Sequence, residues 1–243
     1  MWIPIFKIGL SLGVSLPLFV EAQEAFNFSL GPTGGETTAR LLNLLVILAV
    51  ISLAPAILVM ATSFTRIAVV LSFLRSALGL QQSPPNVVLI SLALFLTGAI
   101  MAPTFEKAYE EGIKPLSHDQ ISEERAWEKI SHPFHEFMVK QVREEDVRLF
   151  VEFSQETPES AQTLPLKILL PAFMLSELRR AFEIGFLVFL PFLVIDLVVA
   201  AILMSMGMMM LPPVIVSLPF KLVFFVLVDG WNLVAASLVR SFQ

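Results

Sequence analysis

Two stretches of this chain carry no Asp, Glu, Lys or Arg: residues 41–65, which is 25 positions, and residues 76–105, which is 30. Each is longer than the roughly 20 apolar residues that cross a bilayer as an α-helix. Charged residues make up 15% of the 243 positions and hydrophobic ones 56%, against roughly 25% charged in an ordinary soluble domain. The expected class is an all-α membrane protein. Cysteine is absent, which excludes disulfides, thiolate metal sites and a cysteine nucleophile. A net charge of −5 is no footprint for nucleic acid.

Residues 1–22 have Lys7 near the start, an apolar run over Ile8–Val20, and Val20 and Ala22 at the −3 and −1 positions of a cleavage site. This pattern reads as a secretory signal peptide; the alternative is an uncleaved first transmembrane helix. Residues 23–40 are polar with Gly-Pro and Gly-Gly punctuation, so they form an exposed lead-in.

Four hydrophobic segments follow, arranged as two helical hairpins with a polar insert between them. The first hairpin occupies 41–103, with segments at 41–62 and 87–103. Its linker, 63–86, contains Arg66 and Arg75 and no acid, and the positive-inside rule faces these two cations to the cytoplasm. The insert, 104–183, holds ten Lys or Arg and sixteen Asp or Glu; long segments translocate regardless of charge, so it is expected on the periplasmic side. Phe134, Phe137, Met138 and Val142, then Val147, Phe150 and Phe153, recur at helical spacing. These amphipathic helices either cap their own protein or offer a face to another subunit.

The second hairpin, 184–240, is apolar apart from Asp196, Lys221, Asp229 and the terminal Arg240. A charge near the centre of a spanning helix opposes insertion by roughly 2.5–3.5 kcal/mol, so Asp196 and Lys221 require an explanation. Between them lies the tip 205–213, SMGMMMLPP, in which Gly207 ends one helix and Pro212 and Pro213 start the next. The midpoint between Asp196 and Lys221 falls within Met208–Met210. Antiparallel helices rising equally from the tip therefore put carboxylate and ammonium at one level, about 18 Å away. A buried ion pair, within the hairpin or with a neighbouring subunit, is one reading; a proton relay through Asp196 is another. Three consecutive methionines supply a soft, polarisable surface that can close a constriction and mould around varied side chains, or simply pack against lipid and helices.

Several chemistries find no support. His132 and His135 have helical metal-ligand spacing, but Pro133 interrupts them and no partner motif follows. There is no phosphate-binding glycine loop. No catalytic residues, metal site or cofactor are expected, and no enzyme activity.

Four stretches carry a specific likeness: LAPAILVMATSFTRIAVVLSFLRSALGLQQSPPNVVLISLALFLT (53–97), LLPAFMLSELRRAFEIGFLVFLPF (169–192), PFLVIDLVVAAILMSMGMMMLPP (191–213) and SLPFKLVFFVLVDGW (217–231). They resemble the FliP family, the P subunits of the bacterial flagellar type III protein export gate. The likeness covers about 41–240, whereas 1–40 carry little of it. Injectisome relatives share the second hairpin, but the signal segment resembles the flagellar branch more.

The resemblance implies a pore-forming subunit, five copies of which join four Q subunits and one R subunit around a central channel. Unfolded flagellar subunits would pass through it across the inner membrane of the flagellar basal body. Met208, Met209 and Met210 match the family's constriction loop. It further implies that the hairpins are kinked, with Pro55, Pro171 and Pro191 at suitable positions. Much of the assembly would stand on the periplasmic side, so that apolar helices are buried against other subunits as well as lipid. Energy would come from the proton motive force and other export components. Two alternatives of different class are a small-solute or ion transporter and a purely structural membrane scaffold.

Overall fold

The structure is a computed structural model, and its described residues are 35–154, 164–208 and 210–242. The signal segment 1–22, the lead-in up to residue 34 and Met209 lie outside them. All regular elements among the described residues are helical, so the protein is an all-α membrane protein. Contacts divide the chain into a unit ending at Leu53 and a second beginning at Ala54. Helix α1 (Gly35–Met60) starts inside the expected lead-in rather than at residue 41, because propagating a helix gains one hydrogen bond for each residue fixed once the costly first turn exists.

Within the second unit the centre is α2 (Phe64–Ala77), in the region read from sequence as a cytoplasmic-facing linker. It is no linker. Ile67, Val70, Leu71 and Leu74 are all buried, at the i, i+3, i+4, i+7 spacing of one helix face. The helix stops at Gly79 (φ 77°), where Gly79 N–H donates to the Ser76 carbonyl at 3.0 Å and Leu80 N–H to Arg75 at 3.3 Å. This Schellman arrangement leaves the Ala77 carbonyl without a partner from the helix itself.

Helix α3 (Asn86–Ala108) continues through a π-helical turn, Tyr109–Ile113, into a last helical turn, Lys114–Ser117. Helix α4 (Glu123–Gln141) folds back on α3 and the π turn, and α5 (Glu144–Ser154) follows it. The turn brings backbone close to backbone. A Cβ at Gly112 would lie 2.4 Å from Ile130 Cγ1 and 3.1 Å from the Ile130 nitrogen. Gly112→Ala is therefore expected to force α4 away from the π turn at a cost of about 1–3 kcal/mol, seen as a lower unfolding midpoint of the detergent-solubilised chain. An unchanged midpoint would show that this packing is not tight.

Helix α6 (Leu166–Ser205) runs for 40 residues without interruption, with Pro171 and Pro191 inside it. The boundary placed at 183/184 thus falls in mid-helix. Hydropathy changes there because the environment changes, not because the backbone turns: the first half of α6 packs against α4 and α5, and the second half forms a hairpin stem. Phe137, Val142, Val147 and Phe150 pack onto a core of Met138, Ile168, Leu169 and Phe173, so these residues of the insert cap their own protein. Phe153 is exposed.

The stem returns as α7 (Pro213–Leu227) and turns by 64° into α8 (Gly230–Arg240). Asp229 at the elbow has φ 50°, a left-handed conformation that Asp tolerates better than most residues. Gly230 has no room for a side chain, since a Cβ would meet the Phe225 ring at 2.1 Å. Among the described residues, Asn86–Ser117 and Leu166–Ser205 are long and apolar enough to span a membrane, and the bent α7–α8 pair adds a third segment of that kind.

Candidate functional site

The hairpin tip is built by its backbone. At the end of α6, Gly207 (φ 74°) donates its N–H to the Met204 carbonyl at 3.1 Å, and Met208 N–H donates to Leu203 at 3.0 Å. These two bonds satisfy helix-terminal carbonyls and reverse the chain. Pro212 then precedes α7 and Pro213 occupies its first position, where a missing N–H costs nothing. The thioethers between the helices point away from the protein: Met206 is 65%, Met208 41% and Met210 98% exposed. The tip therefore presents deformable apolar groups at the end of a rigid stem.

In the stem, Lys221 Nζ lies 2.6 Å from Asp196 Oδ2. The pair is intramolecular, between α6 and α7. The Lys221 side chain is 3% exposed and that of Asp196 20%, so both charges have lost most of their hydration and need other partners. Ser217 Oγ donates to the second Asp196 oxygen. Lys221 also donates to the Ala77 carbonyl at 3.1 Å. That carbonyl is the one left over at the end of α2, and a cation there also matches the negative end of the helix dipole. Asp229 does not join this cluster. It sits exposed at the α7–α8 elbow.

Arg66 is fully buried within the protein. It and Glu177 both have side-chain exposures of 0%, so Arg66 is not a free cytoplasm-facing cation. Nε donates to Glu177 Oε2 at 2.9 Å, and Nη2 to Glu177 Oε1 and to Gln141 Oε1, the latter at 3.1 Å. Nη1 donates to the Ser241 carbonyl at 2.8 Å and to its Oγ at 3.0 Å. Burial pushes the guanidinium pKa down from its ordinary value, while the hydrogen bond and charge of Glu177 oppose that shift. Arg75 is different, hydrogen-bonding Asn86 Oδ1 near the surface.

Sequence reasoning passed over Glu177, Gln141 and Ser241. A signal was available for Glu177, a lone acid one turn before the adjacent Arg179 and Arg180 in an otherwise apolar run, but nothing local marks its partner. The insert's histidines do other work: His135 Nε2 bonds the Leu164 carbonyl at 2.8 Å, and His132 lies 3.9 Å from Glu136. Among the described residues no three His, Asp or Glu side chains converge on a metal position.

The profile of the FliP family matches residues 47–238. The flagellar biosynthetic protein FliP of Caulobacter vibrioides is 60% identical over 229 residues, covering 94% of this chain and 86% of the relative. That of Agrobacterium fabrum is 47% identical over 245 residues, covering 98% and 99%. The Bacillus subtilis protein of the same name is 53% identical over 208 residues, covering 85% of this chain and 94% of its own.

Proposed function

Because this chain belongs to the FliP family of flagellar biosynthetic proteins, we propose that it is a non-enzymatic, pore-forming subunit of the flagellar type III protein export gate. In this reading it acts in the inner membrane at the flagellar basal body, passing unfolded flagellar subunits outward. The observation that carries the reading is the hairpin. Its outer faces expose Val194, Leu197, Val198, Ile202 and Ile215, and its tip exposes Met206, Met208 and Met210. Lipid or other helices cover such an apolar surface. With several copies side by side, the hairpin tips converge.

In such a ring Met208, Met209 and Met210 form the seal. Met has no branching and three rotatable bonds, so a collar of these side chains closes on itself yet yields to a passing polypeptide. The stem resists collapse because the Asp196–Lys221 pair joins its two helices and the Ala77 carbonyl ties them to α2. The driving force is supplied by the proton motive force and by other export components, since the sequence carries no phosphate-binding glycine loop. Five copies of this chain with four Q and one R subunits complete the gate, with much of the insert on the periplasmic side.

Native mass spectrometry of the complex co-expressed with its neighbouring export genes tests the composition: a discrete particle with several copies of this chain and two smaller membrane partners is expected, and a stable monomer under the same conditions would sink the proposal. The seal has its own test. Replacing Met208, Met209 and Met210 together by Ala is expected to raise proton leak severalfold while the particle still assembles. Unchanged ion tightness would mean that the methionines are only packing.

A further inference from the structure

The Arg66 node joins four separate parts of the chain. Arg66 belongs to α2, Gln141 ends α4, Glu177 lies in α6, and Ser241 with Phe242 follows α8. All five N–H donors of the guanidinium have acceptors. One face of the guanidinium is covered by the Phe242 ring, whose centroid is 3.6 Å from Cζ. Around this centre, Gln141 Oε1 also accepts from Arg180 Nη1 at 2.9 Å, and Gln141 Nε2 donates to the Phe242 carbonyl at 3.2 Å.

A buried Arg–Glu pair is a weak stabiliser, because desolvating two ions offsets most of their attraction and apolar replacements often do as well. What apolar residues cannot do is set direction. Hydrophobic contacts are non-directional, whereas the guanidinium is a rigid planar fork whose N–H groups donate to oxygens only at fixed angles. Here that fork registers three other segments at once. Helix α2 is also gripped at its far end, where the Ala77 carbonyl accepts from Lys221. Residues 66 and 77 are about 16 Å apart along the helix, so α2 is pinned to α6 near both Glu177 and Asp196.

We propose that Arg66 is a positioning residue: its node, closed by Ser241 and Phe242, sets the angle of the α6 stem against α2 and the insert, and so makes the subunit competent to join its neighbours. What assembly means here rests on the export-gate reading. The geometric part stands on the single chain.

The test exploits the absence of cysteine from the sequence. Spin labels on Trp127→Cys in α4 and Val198→Cys in the stem, both exposed positions, report the insert-to-stem distance in the full-length detergent-solubilised chain, and assembly is read on the unlabelled, cysteine-free protein. In Arg66→Met/Glu177→Met the unfolding midpoint is expected to stay near that of the parent. The distance distribution is expected to broaden and shift, and the fraction assembled with its partners to fall about tenfold, a misplacement equivalent to about 1.4 kcal/mol. A folded double variant with an unchanged distance distribution, or with parental assembly, overturns the proposal. Should that variant not fold, Phe242→Ala carries the same readouts, because it opens the node while leaving the ion pair in place. Failure of the gate reading is separate: the parent chain then forms no multi-copy particle, while the distance measurement still reads the node.

Discussion

Glu177→Ala is expected to destabilise the protein by about 3–5 kcal/mol, the loss that follows when one member of a buried pair is removed. The cost comes from what is left behind. Arg66, fully buried, loses the acceptors of two N–H donors and the anion that compensates its charge. Arg180, which shares the Gln141 acceptor, then stands beside it as a second cation. Thermal unfolding in a mild detergent reads the effect as a large fall in midpoint, accompanied by loss of the assembled particle. Arg66→Met with Glu177→Met should recover most of that stability, since neither charge of the pair is then left buried without its partner. A Glu177→Ala protein within about 1 kcal/mol of the parent would contradict the burial of the pair.

The second large effect is expected for Lys221→Met, at about 3 kcal/mol. It removes the cation from Asp196 and also the only described side-chain donor to the Ala77 carbonyl. The value sits at the low end of the range for buried pairs because the Asp196 side chain keeps 20% exposure and the hydroxyl of Ser217. The double variant Asp196→Asn/Lys221→Met separates the two losses. It neutralises the unpaired carboxylate but leaves the carbonyl without a donor, so a residual deficit of about 1–3 kcal/mol should persist. Full recovery in the double variant would show that the bond to Ala77 contributes nothing. A double-mutant cycle on chemical unfolding distinguishes these outcomes.

Much of the architecture is written in local chemistry. Long charge-free runs call for helices in an apolar setting, and Gly207 with Pro212 and Pro213 marks a helix stop and start at the tip, because each of these residues acts on its own backbone torsions and hydrogen bonds. The level relation between Asp196 and Lys221 was also readable, since both count residues from the same turn along regular helices. By contrast, the polarity change at 183/184 gave no information on helix ends. A helix continues through a change of surroundings as long as nothing interrupts its hydrogen bonds, and α6 does so.

The roles of the other charges were decided by the fold. By sequence Arg66 is a cation in an acid-free linker, which is a statement about which side of a membrane it faces. In the structure it is the centre of a buried node whose acceptors lie 111 positions away at Glu177, 75 at Gln141 and 175 at Ser241. The same is true of the Ala77 carbonyl under Lys221, 144 positions off. Sequence by itself determined the helical class and the reversal at the methionine tip, because those depend on interactions within a few residues. Only the tertiary structure decided which polar groups meet between segments that no single turn connects, because those partners are set by how helices pack across the whole chain, and residue spacing holds no record of that packing.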